Sequence, residues 1–210
     1  MVLEWVQAYS TMGGDELCGR FPGSIAQTLY NQTNQQFGES PLLFLDLGSG
    51  TGKNTAALVG FGASHVDLFD FLPPDSENIS LLPPDSYTFT QGDITAMQFG
   101  QEVYHGALLS NIIHYLSPEQ LANLFERVND GLAPEGYIAI RYPEEGRMFG
   151  DRRLAVDKFH HPLGSVISQL QQAGFHPISV LERGKPGPNQ LGESLYQGYD
   201  IIAQKLPLTA

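Results

Sequence analysis

The sequence predicts an α/β fold built on a mostly parallel sheet covered on both faces. Short apolar runs of strand length alternate with helical stretches along most of the chain, the order that successive strand–helix units impose. The runs are nearly unbroken, as in Leu42 to Leu47, which is what a strand buried on both faces requires. The alternation stops at the end of the chain. His176 to Leu181 and Leu195 to Gln204 are separated only by a Pro/Gly loop, so these two strands should form an antiparallel hairpin.

Each element has its own signal. Ile25, Leu29 and Tyr30 recur at helical spacing between Pro22 and Gly38, predicting a helix over 24–37. The first strand, 42–47, runs into a glycine-rich turn and a helix over 55–61. Strands follow over 65–70, 87–90 and 103–110. The duplicated Leu-Pro-Pro-Asp-Ser at 72 and 82 leaves the second crossover little more than a helical turn. The clearest helix places Leu121, Leu124, Phe125, Val128 and Leu132 on one face. Its start combines Ser117 as N-cap, Pro118 at the first helical position and Gln120 to complete a capping box, and Gly131 helps to end it. A fifth strand over 136–142 and a helix over 166–173, closed by Gly174, precede the final hairpin.

The chain of 210 residues fits one domain, and its net charge of −12 argues against a surface that grips polyanions. Residues 1–140 hold 16 acids and three bases (Arg20, Lys53, Arg127), whereas 141–210 hold seven acids and eight bases. Cys18, the only cysteine, excludes an intrachain disulfide and a Cys-rich zinc site. No signal-peptide pattern opens the chain and no run of 18 apolar residues occurs, so a cytoplasmic protein that neither enters membranes nor binds nucleic acid is expected.

The chemically informative segment is Leu45-Asp-Leu-Gly-Ser-Gly-Thr-Gly-Lys-Asn-Thr, where the first strand meets its helix. A phosphate-cradling loop would need glycine at Leu47 and Ser or Thr at Asn54. A dinucleotide fingerprint would need glycine at Lys53. What remains is Asp46 followed by Gly48, Gly50 and Gly52, with Asp70 closing the second strand 18 residues beyond Gly52. Asp67 competes with Asp70, but strand alternation puts it on the other face and further from the strand's C-terminal end. Gln91-Gly-Asp-Ile-Thr ends the third strand, and Leu108-Leu-Ser-Asn-Ile-Ile-His-Tyr-Leu the fourth.

In these segments, and in element order over roughly 40–205, the chain resembles the class I S-adenosylmethionine-dependent methyltransferases. The resemblance implies a Rossmann-like doubly wound sheet of seven strands in the order 3-2-1-4-5-7-6, strand seven antiparallel. It implies S-adenosyl-L-methionine as cofactor, held by Asp46, Gly48, Ser49, Gly50, Gly52, Asp70, Phe71, Asp93, Ile94 and Asn111. In that family the acid after strand two accepts from the ribose hydroxyls, and the Gly-Asp segment meets adenine through its acid and the apolar residue that follows. The resemblance also places the acceptor beside His114 and Tyr115, the expected catalytic pair. The whole chain, 1–210, then reads as one methyltransferase domain, with 1–38 as a helical segment over the cofactor and 143–163 as an acceptor lid.

Acceptor choice is expected from the least family-like stretch, 141–163, with Arg141, Tyr142, Arg147, Arg152 and His160 as the substrate-binding residues. The arginines suit an anionic group on a small molecule. His160-His161 is a poor metal pair, because adjacent residues rarely aim at one ion, and no metal is assigned. Methyl transfer from a sulfonium is an in-line displacement, so positioning and exclusion of water carry most of the acceleration. Two other readings compete: a nicotinamide-dependent oxidoreductase of Rossmann type, and a non-catalytic cofactor-binding partner subunit. Oligomeric state has no signature in the sequence.

Overall fold

The computed structural model describes residues 24–38, 40–143, 159–183 and 198–207. The elements run α1 (Ser24–Phe37), β1 (Leu43–Leu47), α2 (Lys53–Phe61), β2 (His65–Asp70), the four-residue α3 (Ser76–Ile79), β3 (Tyr87–Gln91), β4 (Tyr104–Ser110), α4 (Pro118–Gly131), β5 (Leu132–Pro143), α5 (Leu163–Gln172), β6 (Phe175–Arg183) and β7 (Gly198–Lys205). Single turns of 3-10 helix cover Pro84–Ser86 and Ile113–Tyr115.

One seven-stranded sheet has the order β3-β2-β1-β4-β5-β7-β6. The first five strands pair in parallel, and β7 runs antiparallel to both of its neighbours. Strand alternation sends β1 side chains to two cores. Phe44 joins Ile25, Leu29, Leu58, Val66 and Leu108 under α1 and α2. Leu45 and Leu47 join Leu124, Phe125, Ile140, Val166 and Leu170 under α4 and α5. Because parallel strands aim their C-terminal ends the same way, β1, β2 and β4 all finish at one rim, where open α/β sheets bind ligands.

The predicted capping box is present: Gln120 N–H donates to Ser117 Oγ (3.2 Å), and Ser117 N–H to Gln120 Oε1 (2.8 Å). Strand β5 begins four residues earlier than expected. Its Ala-Pro-Glu-Gly reads as a turn, but the irregularity is absorbed within the strand, with Glu135 at φ 62° and a register shift opposite Tyr104 to Gly106. Helix α1 also differs from the expectation. It packs on the sheet, with Ile25, Ala26 and Leu29 in the core beside Phe44 and Leu108, and so forms a covering layer. Residues 1–23 lie outside the described residues.

The far end of α4 is closed by a residue from β7. Lys205, 5% exposed, donates through Nζ to the carbonyls of Asn129 (2.9 Å) and Leu132 (2.8 Å), with Glu102 at 3.9 Å. Carbonyls at a helix C-terminus have no partner within the helix, and a cation there also meets the negative end of the dipole. Lys205→Met keeps the apolar stem and removes both bonds. It should lower the unfolding free energy by about 2–3 kcal/mol, read as a lower urea midpoint at unchanged slope.

Candidate active site

The three glycines that follow β1 share one property. Gly48, Gly50 and Gly52 have φ of 72°, 53° and 79°, all in the left-handed region that side chains resist. The chain therefore coils tightly off the strand end and enters α2 with Gly52 as a backbone-only N-cap. The N–H groups of Gly48 and Ser49 donate to the Phe69 carbonyl at 2.8 and 3.2 Å. The Gly50 N–H donates to Asp70 Oδ2 at 2.7 Å, and the Leu72 N–H to Oδ1 at 3.3 Å. One carboxylate at the end of β2 thus fixes both the glycine loop and its own turn.

The crossover beyond β2 buttresses the loop from the other side. Asp75 N–H and Asn78 Nδ2 both donate to the Thr51 carbonyl, at 3.2 and 2.9 Å. A methyl group on Gly52 would lie 2.9 Å from Pro74 Cβ and 3.0 Å from Ile79 Cγ2. On Gly48 it would lie 2.6 Å from Ile112 Cγ1. Ile112 belongs to the turn after β4, where Asn111 adopts φ 57° and its N–H donates to the Arg141 carbonyl at 2.7 Å.

Asp46 is the most unusual group of the site. It is 1% exposed; Oδ2 accepts from Thr55 Oγ1 at 2.7 Å, and Oδ1, fully buried, has no hydrogen-bond partner. Burial raises its carboxyl to about 7, opposed by hydrogen bonds from Thr55 and assisted by the charge of Asp70. Burial likewise raises the Asp70 carboxyl, against hydrogen bonds from the Gly50, Leu72 and Phe71 backbone. Asp67, the competing acid, accepts from Tyr104 Oη (2.5 Å) and faces His65 Nε2 (3.2 Å), so it ties β2 to β4 within the sheet.

Asp93 and Ile94 follow β3. Asp93 Oδ1 accepts from the Thr95 N–H (2.8 Å) and Oγ1 (2.7 Å), a local turn bond. Ile94 is buried in the core with Phe69 and Phe125 and packs near Met97 and Phe99. Phe71 is half-buried just past Asp70, and its carbonyl accepts from Gln91 Nε2.

His114 is 3% exposed and its ring lies 4.1 Å from that of the half-buried Tyr115. The His114 carbonyl accepts the Phe159 N–H (2.8 Å), and His161 Nε2 lies 2.9 Å from the Leu116 carbonyl. The end of the expected lid is therefore tied to the turn after β4. His161 is buried, which lowers its pKa, while the adjacent His160 is exposed. Among the described residues no three His, Cys, Asp or Glu converge as a metal site would require.

Arg141 corrects the expected acceptor set. Its Nε and Nη2 donate to the two Asp200 oxygens at 2.7 and 2.6 Å, both residues being buried, with Arg183 Nε 3.6 Å from Asp200 Oδ2. The guanidinium fork meets an acid across the β5–β7 pair where an acceptor was expected. Tyr142 is likewise inside the sheet layer, 1% exposed, its ring 5.9 Å from that of Tyr199. Arg147 and Arg152 lie outside the described residues. Thr55, Asn78 and Asp200 were not anticipated. Asp200 had a signal, because a lone acid in the otherwise apolar Tyr-Asp-Ile-Ile-Ala requires a cation.

A sheet of this order, with a left-handed glycine loop after β1 and an acid ending β2, defines a Rossmann-like methyltransferase fold. Residues 44–136 match the family model of a methyltransferase domain. The chain is accordingly a methyltransferase whose cofactor is S-adenosylmethionine, with the fold of the S-adenosylmethionine-dependent methyltransferases. Among solved structures, 1,6-didemethyltoxoflavin-N1-methyltransferase of Burkholderia thailandensis, with 1,6-didemethyltoxoflavin and S-adenosylhomocysteine bound, has a TM-score of 0.73 at 19% identity and covers 98% of this chain and 88% of that one. A methyltransferase of Methanosarcina mazei has a TM-score of 0.63 at 15% identity, covering 82% and 96%. The N-methyltransferase NodS of Bradyrhizobium japonicum, in complex with S-adenosylhomocysteine, has a TM-score of 0.62 at 13% identity, covering 86% and 85%. At these identities the likeness is one of fold. No curated protein matches the chain in sequence. Among the described residues no helix is long and apolar enough to cross a membrane.

Proposed function

We propose that this enzyme methylates a small molecule by in-line displacement, with the cofactor laid along the glycine loop and the acceptor placed beside the turn after β4. The single observation that carries the reading is the pair of buried carboxyls, Asp46 and Asp70, flanking three left-handed glycines at one rim. The unpartnered Oδ1 of Asp46 suits a cationic ligand, and the glycines leave room for close backbone approach. When bound, S-adenosylmethionine supplies an electrophilic methyl group on a sulfonium.

In this proposal Asp70 accepts from the ribose hydroxyls, Asp93 offers its Oδ2 to the adenine side, and Ser49, Phe71, Ile94 and Asn111 line the same trough. His114 and Tyr115 orient the acceptor and receive its proton where it carries one. Residues 1–23 would fold over the cofactor and 143–163 over the acceptor, in a single domain and a cytoplasmic setting. The small acceptor draws support from the didemethyltoxoflavin bound by the Burkholderia relative. With Arg141 engaged by Asp200, Arg147 and Arg152 remain the residues to meet an anionic group on it.

Calorimetric titration of the wild type and Asp70→Ala with S-adenosylhomocysteine and with NAD tests the placement. The wild type should bind the thionucleoside and not NAD. Asp70→Ala should weaken it by about 100-fold, the loss of two bonds to a charged acceptor at about 1.5 kcal/mol each. Undiminished binding by the variant would remove Asp70 from the site.

A further inference from the structure

We propose that loading of S-adenosylmethionine drives a proton off Asp46, so that the cofactor site is proton-linked. This rests on the cofactor placement given above and adds a regulatory property to it. The geometry is that of a carboxyl held between its two forms. One oxygen, Oδ2, accepts from Thr55 Oγ1 at 2.7 Å, and the other, Oδ1, is buried without a partner. A buried acceptor with nothing to accept from disfavours the charged form, whereas the Thr55 bond favours it.

The groups that face Asp46 set the balance. From α2 comes Thr55, which is neutral. From the end of β2 comes Asp70, whose charge opposes ionisation. The paired positions on β2 and β4 are Leu68 and Leu108. Among the described residues no cation is paired with Asp46, and the carboxyl stands at about 7. A cationic ligand at this rim supplies what the protein leaves out, and an adjacent positive charge stabilises the carboxylate.

The step is a simple dissociation. The Asp46 O–H bond breaks, the proton leaves to the buffer, and the carboxylate remains facing the positive ligand. Its sign follows from the raised carboxyl. Below about pH 7 the apo site is mostly protonated, so binding must expel a proton and the affinity falls as the pH falls, by up to about tenfold per pH unit. Above it the carboxyl is already ionised and this dependence disappears.

The test is calorimetry of the full chain with S-adenosylmethionine in buffers of different ionisation enthalpy, which counts protons and needs no turnover. Relative to Asp46→Asn, the wild type should release about 0.9 protons at pH 6, about 0.5 at pH 7 and about 0.1 at pH 8. The subtraction cancels protons exchanged by the ligand's own amino group, which titrates at about 8. Thr55→Val removes a bond that favours the carboxylate and should move half-release to higher pH, a readout that stands even if Asp46→Asn does not fold. Binding with equal release by wild type and Asp46→Asn, or release unaltered by Thr55→Val, would overturn the linkage and leave the cofactor placement standing. Absence of binding by the wild type at every pH would overturn the placement itself.

Discussion

Gly48→Ala should lower the stability of the protein by about 2–5 kcal/mol and weaken cofactor binding with it. Two independent penalties add. A side chain at φ 72° costs about 1–2 kcal/mol, and forcing a methyl group into a filled space costs about 1–3 kcal/mol. The space is filled by Ile112, whose Cγ1, Cβ and Cδ1 would lie 2.6, 2.9 and 2.9 Å from the new methyl. Because Cβ is rooted in the backbone of the turn after β4, rotation of the side chain alone does not relieve the contact. The double variant Gly48→Ala/Ile112→Gly, which removes that Cβ as well, separates the two penalties. It should recover the steric part relative to the sum of the single changes and leave the backbone part, as measured by urea unfolding of all four proteins. Strict additivity would show that Ile112 does not press on the loop.

Asp200→Ala should cost about 3–5 kcal/mol, because it strands the Arg141 guanidinium inside the sheet layer. Both residues of the pair are buried, at 6% and 8% exposure, and both bonds are short. Arg183, at 3.6 Å, would lose its contact as well. Arg141→Met/Asp200→Leu removes the charge together with its partner and should recover most of the loss. A thermal or urea midpoint for the double variant as low as that of Asp200→Ala would mean that the pair is not what the single change disturbs.

These two sites also show how far the sequence could be read. The capping box was legible because Ser117, Pro118 and Gln120 are adjacent in sequence and act locally. Gly48, Gly50, Gly52 and Asp70 were legible because a strand end followed by glycines can bend in few ways, and strand alternation separates Asp70 from Asp67. Arg141 was misread for the opposite reason: its partner is 59 residues away, and only the β5–β7 register places Arg141 opposite Asp200. Ile94 is ambiguous because an apolar residue after a Gly-Asp turn can serve a ligand or a core, and in the fold it is buried beside Phe69. Thr55 lies nine residues from Asp46 and touches it only because the glycine loop doubles the chain back.

The tie between Phe159 and His114 has a consequence for how such an enzyme can diversify. Pro143 is held in the sheet by Gly198, and Phe159 returns to the His114 carbonyl, so the stretch between them leaves and rejoins fixed points on the framework. Closing a loop between anchored ends costs only about 0.6 kcal/mol more for each doubling of its length. Segments of different length and chemistry could therefore be grafted between Pro143 and Phe159 with little thermodynamic penalty. The glycine loop, stitched to Phe69, Asp70, Asp75 and Asn78 on the other flank of the sheet, would be untouched by the exchange.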